Sequence, residues 1–195
     1  SVELGPNVDE QAVQSDEAWT AEGPAGWEVD RSGVPGNSED HEGYLPDDDE
    51  DGFPDNDGVS EWAGWSFTDY NWWVQVAGDQ TRSQFTLAKN VVAVADPDEW
   101  DDTDHAPSAE NGWYKTTMMT PEIDVAGIPA GTLFARFHSS WRPEHDADYH
   151  QEGYILVSYD GGEPVEMLTW VSDTASENYH DHNQNEVVTL PLDNP

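Results

Sequence analysis

Short apolar runs with alternating polar residues recur along the chain, whereas long windows with apolar residues at helical spacing are absent from the sequence. Residues 131–138 alternate in this way and predict a half-buried strand. Two further runs, residues 153–159 and 164–170, flank Asp160-Gly161-Gly162, which is typical of a tight turn between two strands. Residues 186–190 predict a last strand.

A second hairpin is predicted where residues 84–87 and 91–95 flank a three-residue connection, 88–90. Long polar loops separate the predicted strands. Many short strands joined by such loops favour an all-β fold, specifically a two-sheet antiparallel β-sandwich. The length of 195 residues fits a single domain spanning residues 1–195.

Charge is the extreme feature of the composition. Forty-two Asp and Glu residues face six Lys and Arg residues, which gives a formal net charge of −36. Such a surface repels phosphate backbones and anionic membrane surfaces, so we expect neither nucleic-acid binding nor membrane insertion. A solvated acidic shell adapted to salty surroundings explains much of this charge, and clusters of carboxylates that hold divalent cations are the sharper interpretation.

Two other features of the composition narrow the picture. The chain has no cysteine, which excludes disulfides, thiolate metal sites and cysteine nucleophiles. Ten Trp, seven Tyr and five Phe residues argue against disorder, because so many rings require burial. The chain begins at Ser1 rather than at Met, which suggests a processed or partial product.

The most specific chemistry lies in an acidic stretch that ends at Gly58. Carboxylates at alternate positions followed at once by Gly52 match the first half of a calcium loop, in which the side chains converge on one hard cation and the glycine permits a sharp turn. The twelfth position, where a bidentate Glu is usual, is Gly58. The alternative is an acidic linker that attracts counterions loosely. The predicted calcium ligands are Asp47, Asp49, Asp51, Asp55, Asp57 and Glu61.

A second acidic stretch follows the run at residues 91–95. It lacks the alternating pattern that ends in glycine, so a second cation site here is a weaker hypothesis. Its candidate ligands are Asp96, Asp98 and Asp101.

Aromatic residues crowd residues 62–73, and flat rings at Trp65, Trp72 and Trp73 are candidates for stacking on sugars. Packing in the core is the competing interpretation. If Trp72 and Trp73 lie in a strand, one faces inward and the other outward. No nucleophile elbow or three-ligand metal pattern accompanies the Ser, His and Asp residues, and we therefore predict that the protein is not an enzyme.

Several segments together resemble the jelly-roll modules of secreted bacterial surface proteins, the cleaved-adhesin and MAM-like group. They include residues 26–29, 120–127, 137–141 and 157–165, and the acidic loop itself resembles those of thrombospondin type 3 repeats and dockerins. The resemblance implies a jelly roll, structural calcium and a binding or adhesive role. The sequence departs from this pattern in two ways: the acidic loop at 37–58 looks like an insertion, and the closing strand expected after residue 195 is missing from this chain. A missing closing strand would leave a sheet edge open for pairing with another chain.

From these observations we expect a non-catalytic, extracellular or cell-surface module that calcium stabilises. Its expected partners are other protein subunits, including further copies of itself, in a surface protein, matrix or filament. The alternative is a carbohydrate-binding module of a secreted multidomain enzyme, with a polysaccharide as its partner.

Overall fold

The structure is a computed structural model that describes residues 1–7, 13–34, 60–76, 78–101, 114–143 and 150–192. The chain divides into two compact units, Ser1–Ser83 with Ala88–Glu122 (unit 1) and Gln84–Leu87 with Ile123–Pro195 (unit 2). The described residues are mostly β, with antiparallel strands in several small sheets and few helices, and they form no clear two-sheet jelly roll. The single domain stays a prediction.

Unit 1 contains a three-stranded sheet and a two-stranded sheet. Its strands are β1 (Trp19–Thr20), β2 (Glu28–Gly33), β3 (Ser66–Asp69), β4 (Val91–Val94) and β5 (Lys115–Met119). Strand β3 lies between β1 and β4, and β2 pairs with β5, all antiparallel. Short helices connect them: 3-10 helices at Ser60–Trp62 and Arg82–Gln84, and α-helices α1 (Tyr70–Val76) and α2 (Pro97–Asp101).

Strand β3 is the centre of unit 1, because three of its side chains are buried on both faces of the sheet. Ser66 and Thr68 are fully buried and Phe67 is 4% exposed. The two hydroxyls donate hydrogen bonds to backbone carbonyls, Thr68 Oγ1 to Ala18 O at 2.9 Å and Ser66 Oγ to Glu61 O. Burial therefore leaves neither hydroxyl unsatisfied.

Helix α1 contains Trp72 and Trp73, so the inward–outward alternation expected if they lay in a strand does not apply. Asp69 explains the helix, since its carboxylate accepts hydrogen bonds from the backbone N–H groups of Asn71 at 3.0 Å and Trp72 at 2.9 Å. A side chain that satisfies N–H groups in this way is an N-cap and favours a helix over a continued strand. Both indoles then pack inward, 4% and 5% exposed.

Unit 2 contains β6 (Phe134–Trp141), β7 (Glu152–Val157), β8 (Val165–Val171) and β9 (Asn183–Pro191). Strands β7 and β8 pair as the antiparallel hairpin that the sequence predicted, with Asp160 and Gly161 at positive φ in the connection. Strands β6 and β9 pair with each other. The predicted last strand is confirmed as part of β9, and the strand predicted at 131–138 lies at 134–141.

The second predicted hairpin was wrong. Strand β4 pairs with β3 rather than with residues 84–87, and the register joins Ser66 to Val94 and Asp69 to Val91. Residues 84–87 form no strand. Instead, the backbone N–H of Leu87 donates to Asn185 Oδ1 at 2.9 Å.

Candidate functional site

The predicted calcium loop lies outside the described residues from Asp47 to Asp57, and only Glu61 of its ligand set falls within them. Glu61 belongs to the 3-10 helix Ser60–Trp62 and its side chain is fully buried. A carboxylate in such a position requires hydrogen bonds or a positive charge, because burial of an isolated ion is very costly. Glu61 thus faces the interior at the point where the chain leaves the acidic loop.

The second candidate metal set lies at helix α2. Asp96 caps the helix, accepting from the N–H of Glu99 at 3.4 Å, and Pro97 occupies the first helical position, which suits its fixed φ. The Asp96 carboxylate is also paired with Arg82, while Asp98 and Asp101 continue the helix. In the part of the chain that the structure describes, no three His, Asp or Glu side chains group as a metal site. The second cation site stays a prediction.

Arg82 is the centre of a buried ionic cluster in unit 1, defined by Arg82, Asp96 and Glu99. One guanidinium nitrogen donates to Asp96 Oδ2 at 2.9 Å and to Glu99 Oε1 at 2.6 Å. The other terminal nitrogen donates to the carbonyl of Gly78 at 2.9 Å, and the guanidinium carbon lies 5.4 Å from the centre of the Trp73 ring. The Arg82 side chain is only 1% exposed.

The electrostatics of this cluster favour a permanently charged arginine. Burial opposes its charge, but the two carboxylates outweigh that cost and raise the pKa of Arg82. Burial also raises the pKa of Glu99, an effect that its hydrogen bond to Arg82 offsets only in part. Since the carboxylates are committed to a buried cation, we assign this cluster a structural role.

The indoles predicted to bind sugars are mostly enclosed. Trp72 stacks on Trp62 with ring centres 6.0 Å apart, and its Nε1 donates to Val13 O at 2.8 Å. Trp73 packs against Tyr70 and Arg82. Of the three candidates, only Trp65 retains appreciable exposure. Glycan binding at these residues stays a prediction.

A second cluster, which sequence reasoning missed, joins the two sheets of unit 2. Trp141 of β6 packs on Trp170 of β8 with ring centres 5.6 Å apart, and Trp170 stacks on His180 with ring centres 4.0 Å apart. His180 Nε2 lies 2.9 Å from Glu186 Oε2. Gly153, directly opposite Trp170 in the hairpin, leaves room for the Trp141 ring. The inner faces of the two sheets therefore meet at this aromatic–histidine cluster.

The backbone register shows which N–H groups of the β6–β9 sheet point away from the pair. Leu192 N donates to Leu133 O at 2.9 Å, and in an antiparallel pair hydrogen-bonded positions alternate with positions whose N–H groups face outward. The outward positions are Phe134, Arg136 and His138 on β6, and Val187 and Thr189 on β9. Among the described residues, no third strand pairs with either edge.

The same reasoning applied to the β7–β8 sheet finds one edge partly covered. Ser172 N donates to Gln151 O at 3.0 Å, so the N–H of Val171 is expected to face outward. It does, and it donates to Asn178 O at 3.0 Å. The edge of β8 is thereby covered at its end, whereas β9 carries no such covering segment in the described residues.

Exposed apolar side chains are concentrated in unit 2. Of the large apolar residues that are exposed in the described part of the chain, all but Met119 lie there: Ile123, Phe134, Tyr154, Leu156, Val165, Tyr179 and Val187. The sequence carries a signal for four of them, since each alternates with less exposed neighbours along β6, β7 or β9.

No described helix has the length and apolar character needed to cross a membrane. Comparison of the whole chain with family models, with curated proteins and with solved structures gives no match. The resemblance to jelly-roll surface modules accordingly stays a prediction.

Proposed function

We propose that the protein is a non-catalytic extracellular structural or adhesive module, stabilised by calcium, that assembles by adding a strand of another subunit to an open sheet edge. The observation that carries the proposal is the open edge of β9. An unpaired row of N–H and C=O groups is a template for strand addition. A two-sheet jelly-roll arrangement and a location at the cell surface are parts of the same proposal.

Strand β9 is the edge best suited to pairing. It is the longest of the described strands, Asn183–Pro191. Its outward N–H groups at Val187 and Thr189 belong to uncharged residues, whereas the corresponding positions on β6 and β7 include Arg136 and Glu152. Charged residues on an edge oppose pairing with another strand. Pro191, which has no N–H to offer, ends the strand.

The acidic loop is the proposed calcium site. We propose that Asp47, Asp49, Asp51, Asp55 and Asp57 bind it together with the buried carboxylate of Glu61, and that the ion orders the loop. Removal of calcium is then expected to lower the melting temperature. An ion present at one hundred times its dissociation constant stabilises the folded state by about 2.7 kcal/mol. An unchanged melting temperature on adding a chelator, with magnesium as the control ion, contradicts the calcium part of the proposal.

The assembly part is tested by sedimentation velocity over a concentration series in calcium. Thr189→Pro removes an outward N–H while leaving the β6–β9 hydrogen bonds in place, and Thr189→Ala is the matched control that keeps the N–H. We expect Thr189→Pro to reduce assembly and Thr189→Ala to leave it intact. Equal assembly by the two variants contradicts pairing at β9.

A further inference from the structure

The outer face of the β6–β9 sheet combines apolar and cationic side chains. Side chains alternate along β6, so those turned away from the aromatic–histidine cluster are Phe134, Arg136 and His138. Phe134 is 54% exposed, and Val187, opposite His138 on β9, is 42% exposed. We name Phe134, Arg136 and Val187 face A; His138, whose Nδ1 lies 3.2 Å from Leu87 O, marks its boundary.

Arg136 is unusual in this chain. The chain has six Lys and Arg residues against 42 Asp and Glu residues, and Arg136 is one of these six. Its side chain is exposed. Arg82, by contrast, is buried between two carboxylates. No described residue forms an ion pair with Arg136, and its cross-strand neighbour is the neutral Thr189. A cation left unpaired on an apolar surface suits a partner that is both apolar and acidic.

The outer face of the β7–β8 sheet has the opposite charge. Tyr154 is 49% exposed and Leu156 is 52% exposed, on the side of β7 that is turned away from Trp170. Glu152 lies on the same side, and Glu166 is directly opposite Leu156 on β8. These four residues, Glu152, Tyr154, Leu156 and Glu166, are named face B.

Glu152 is held in its charged form by its neighbours. Tyr154 Oη donates a hydrogen bond to one carboxylate oxygen, and His150 Nε2 lies 3.0 Å from the other. The hydrogen bond from Tyr154 has the largest effect in lowering the pKa of Glu152, and the contact with His150 lowers it further. Glu152 therefore keeps its negative charge on face B to a lower pH than an ordinary glutamate does.

We propose that face A of one copy of the chain docks on face B of a second copy. Apolar side chains meet in the centre of the contact, and Arg136 pairs with Glu166. Because faces A and B are different surfaces, the contact is head-to-tail, and repetition of it builds a chain of subunits rather than a closed dimer. The inference rests on the proposed function in requiring association of copies, but it concerns sheet faces rather than the β9 edge.

The net charge of −36 sets the condition for this docking. Copies repel one another at long range, and salt shortens the reach of that repulsion from about 8 Å at physiological ionic strength to about 3 Å at 1 M. A partly desolvated contact between Arg136 and Glu166 is screened less. Docking is therefore expected to strengthen from low to moderate salt.

Charge reversal provides the test, with sedimentation velocity over a concentration series. Arg136→Glu makes face A anionic, so both faces of that variant are anionic. Glu166→Arg places a cation at the centre of face B, as on face A. Each variant alone is expected to raise the dissociation constant at least about tenfold, as for close charge pairs at other interfaces. The equimolar mixture is expected to recover wild-type association, because each altered face then meets a face of opposite charge. Lys115→Glu, also exposed, makes the same change in net charge away from face A.

Association of either single variant at wild-type strength overturns the proposal, and so does a mixture that stays monomeric. A wild-type chain that stays monomeric at every concentration and salt overturns both this proposal and edge pairing. Wild-type assembly that Thr189→Pro leaves unchanged, but that charge reversal abolishes and mixing restores, contradicts edge pairing alone. A chelator that leaves the melting temperature unchanged contradicts only calcium binding. The recovery in the mixture also shows that both variants fold.

Discussion

Removal of the Arg82 guanidinium is expected to destabilise unit 1 severely. Arg82→Met keeps the length of the side chain but leaves the carboxylates of Asp96 and Glu99, 13% and 10% exposed, without their cation. Loss of one partner from a buried ionic cluster costs about 3–5 kcal/mol. That is a large part of the roughly 5–15 kcal/mol by which proteins are stable. At this chain length it corresponds to a fall in melting temperature of roughly 6–20 °C.

The assay is equilibrium unfolding in urea, which carries no charge and so does not screen the cluster. Unfolding is monitored by tryptophan fluorescence. Lys89→Met is the matched control, since Lys89 is exposed and loses the same charge. The control is expected to change the free energy of unfolding by less than about 0.5 kcal/mol. Adding Glu99→Gln to Arg82→Met is expected to recover part of the loss, because it removes one of the uncompensated charges.

The pH dependence of the same variant has a definite sign. Burial raises the pKa of Glu99, so the folded state binds its proton more tightly than the unfolded state does. The ionised form of Glu99 therefore lowers stability as the pH rises from its unfolded pKa through its folded pKa. Without Arg82 this effect grows, and the difference between wild type and Arg82→Met is expected to be smaller at acid pH than at neutral pH. A cost no greater than that of Lys89→Met at neutral pH refutes the reasoning.

Two further predictions concern unit 2. Gly153→Ala places a methyl group 3.1 Å from the Trp141 ring and is expected to lower the free energy of unfolding in urea by about 1–3 kcal/mol. Gly5→Ala is the control, because the nearest atom to its added methyl group is 3.8 Å away. Equal losses of stability in the two variants contradict the close packing at Gly153. Tyr154→Phe is expected to raise the pKa of Glu152 toward its ordinary value, followed by NMR titration, with an unchanged pKa as the contrary result. Because the folded pKa of Glu152 is lowered, its small contribution to stability is present above its unfolded pKa and is lost as the pH falls through the folded pKa.

Local turn and strand signals predicted much of unit 2. The Asp160-Gly161 turn set the β7–β8 hairpin, since residues at positive φ fix the connection, and the alternation near residues 134 and 187 identified β6 and β9. Their pairing with each other joins segments distant in the sequence, which no local pattern specifies. Residues 84–87 show the same limit: their apolar side chains suggested a strand, but the tertiary partner of Leu87 is Asn185.

The candidate sites likewise differ in how far local sequence signals predict them. Asp69 and Asp96-Pro97 carry N-cap signals that predict α1 and α2, and attention to them would have placed Trp72 and Trp73 in a helix. The ionic cluster was less accessible, because nothing in the sequence distinguishes Arg82 from the other cations or Glu99 from the many acidic residues. Its formation depends on the contact between the 3-10 helix that begins at Arg82 and the N-terminal end of helix α2, which no local pattern specifies. The calcium loop is the reverse case, with a strong sequence pattern in residues outside the described ranges.

The tilted pair of Trp141 and Trp170 also gives unit 2 an optical signature. Two indoles with ring centres 5.6 Å apart and planes at 56° couple their electronic transitions, which produces circular dichroism bands of opposite sign. Trp170→Phe removes that signal, and the difference spectrum isolates it from the other tryptophans. Melting of unit 2 is then followed as the loss of the difference signal between wild type and Trp170→Phe.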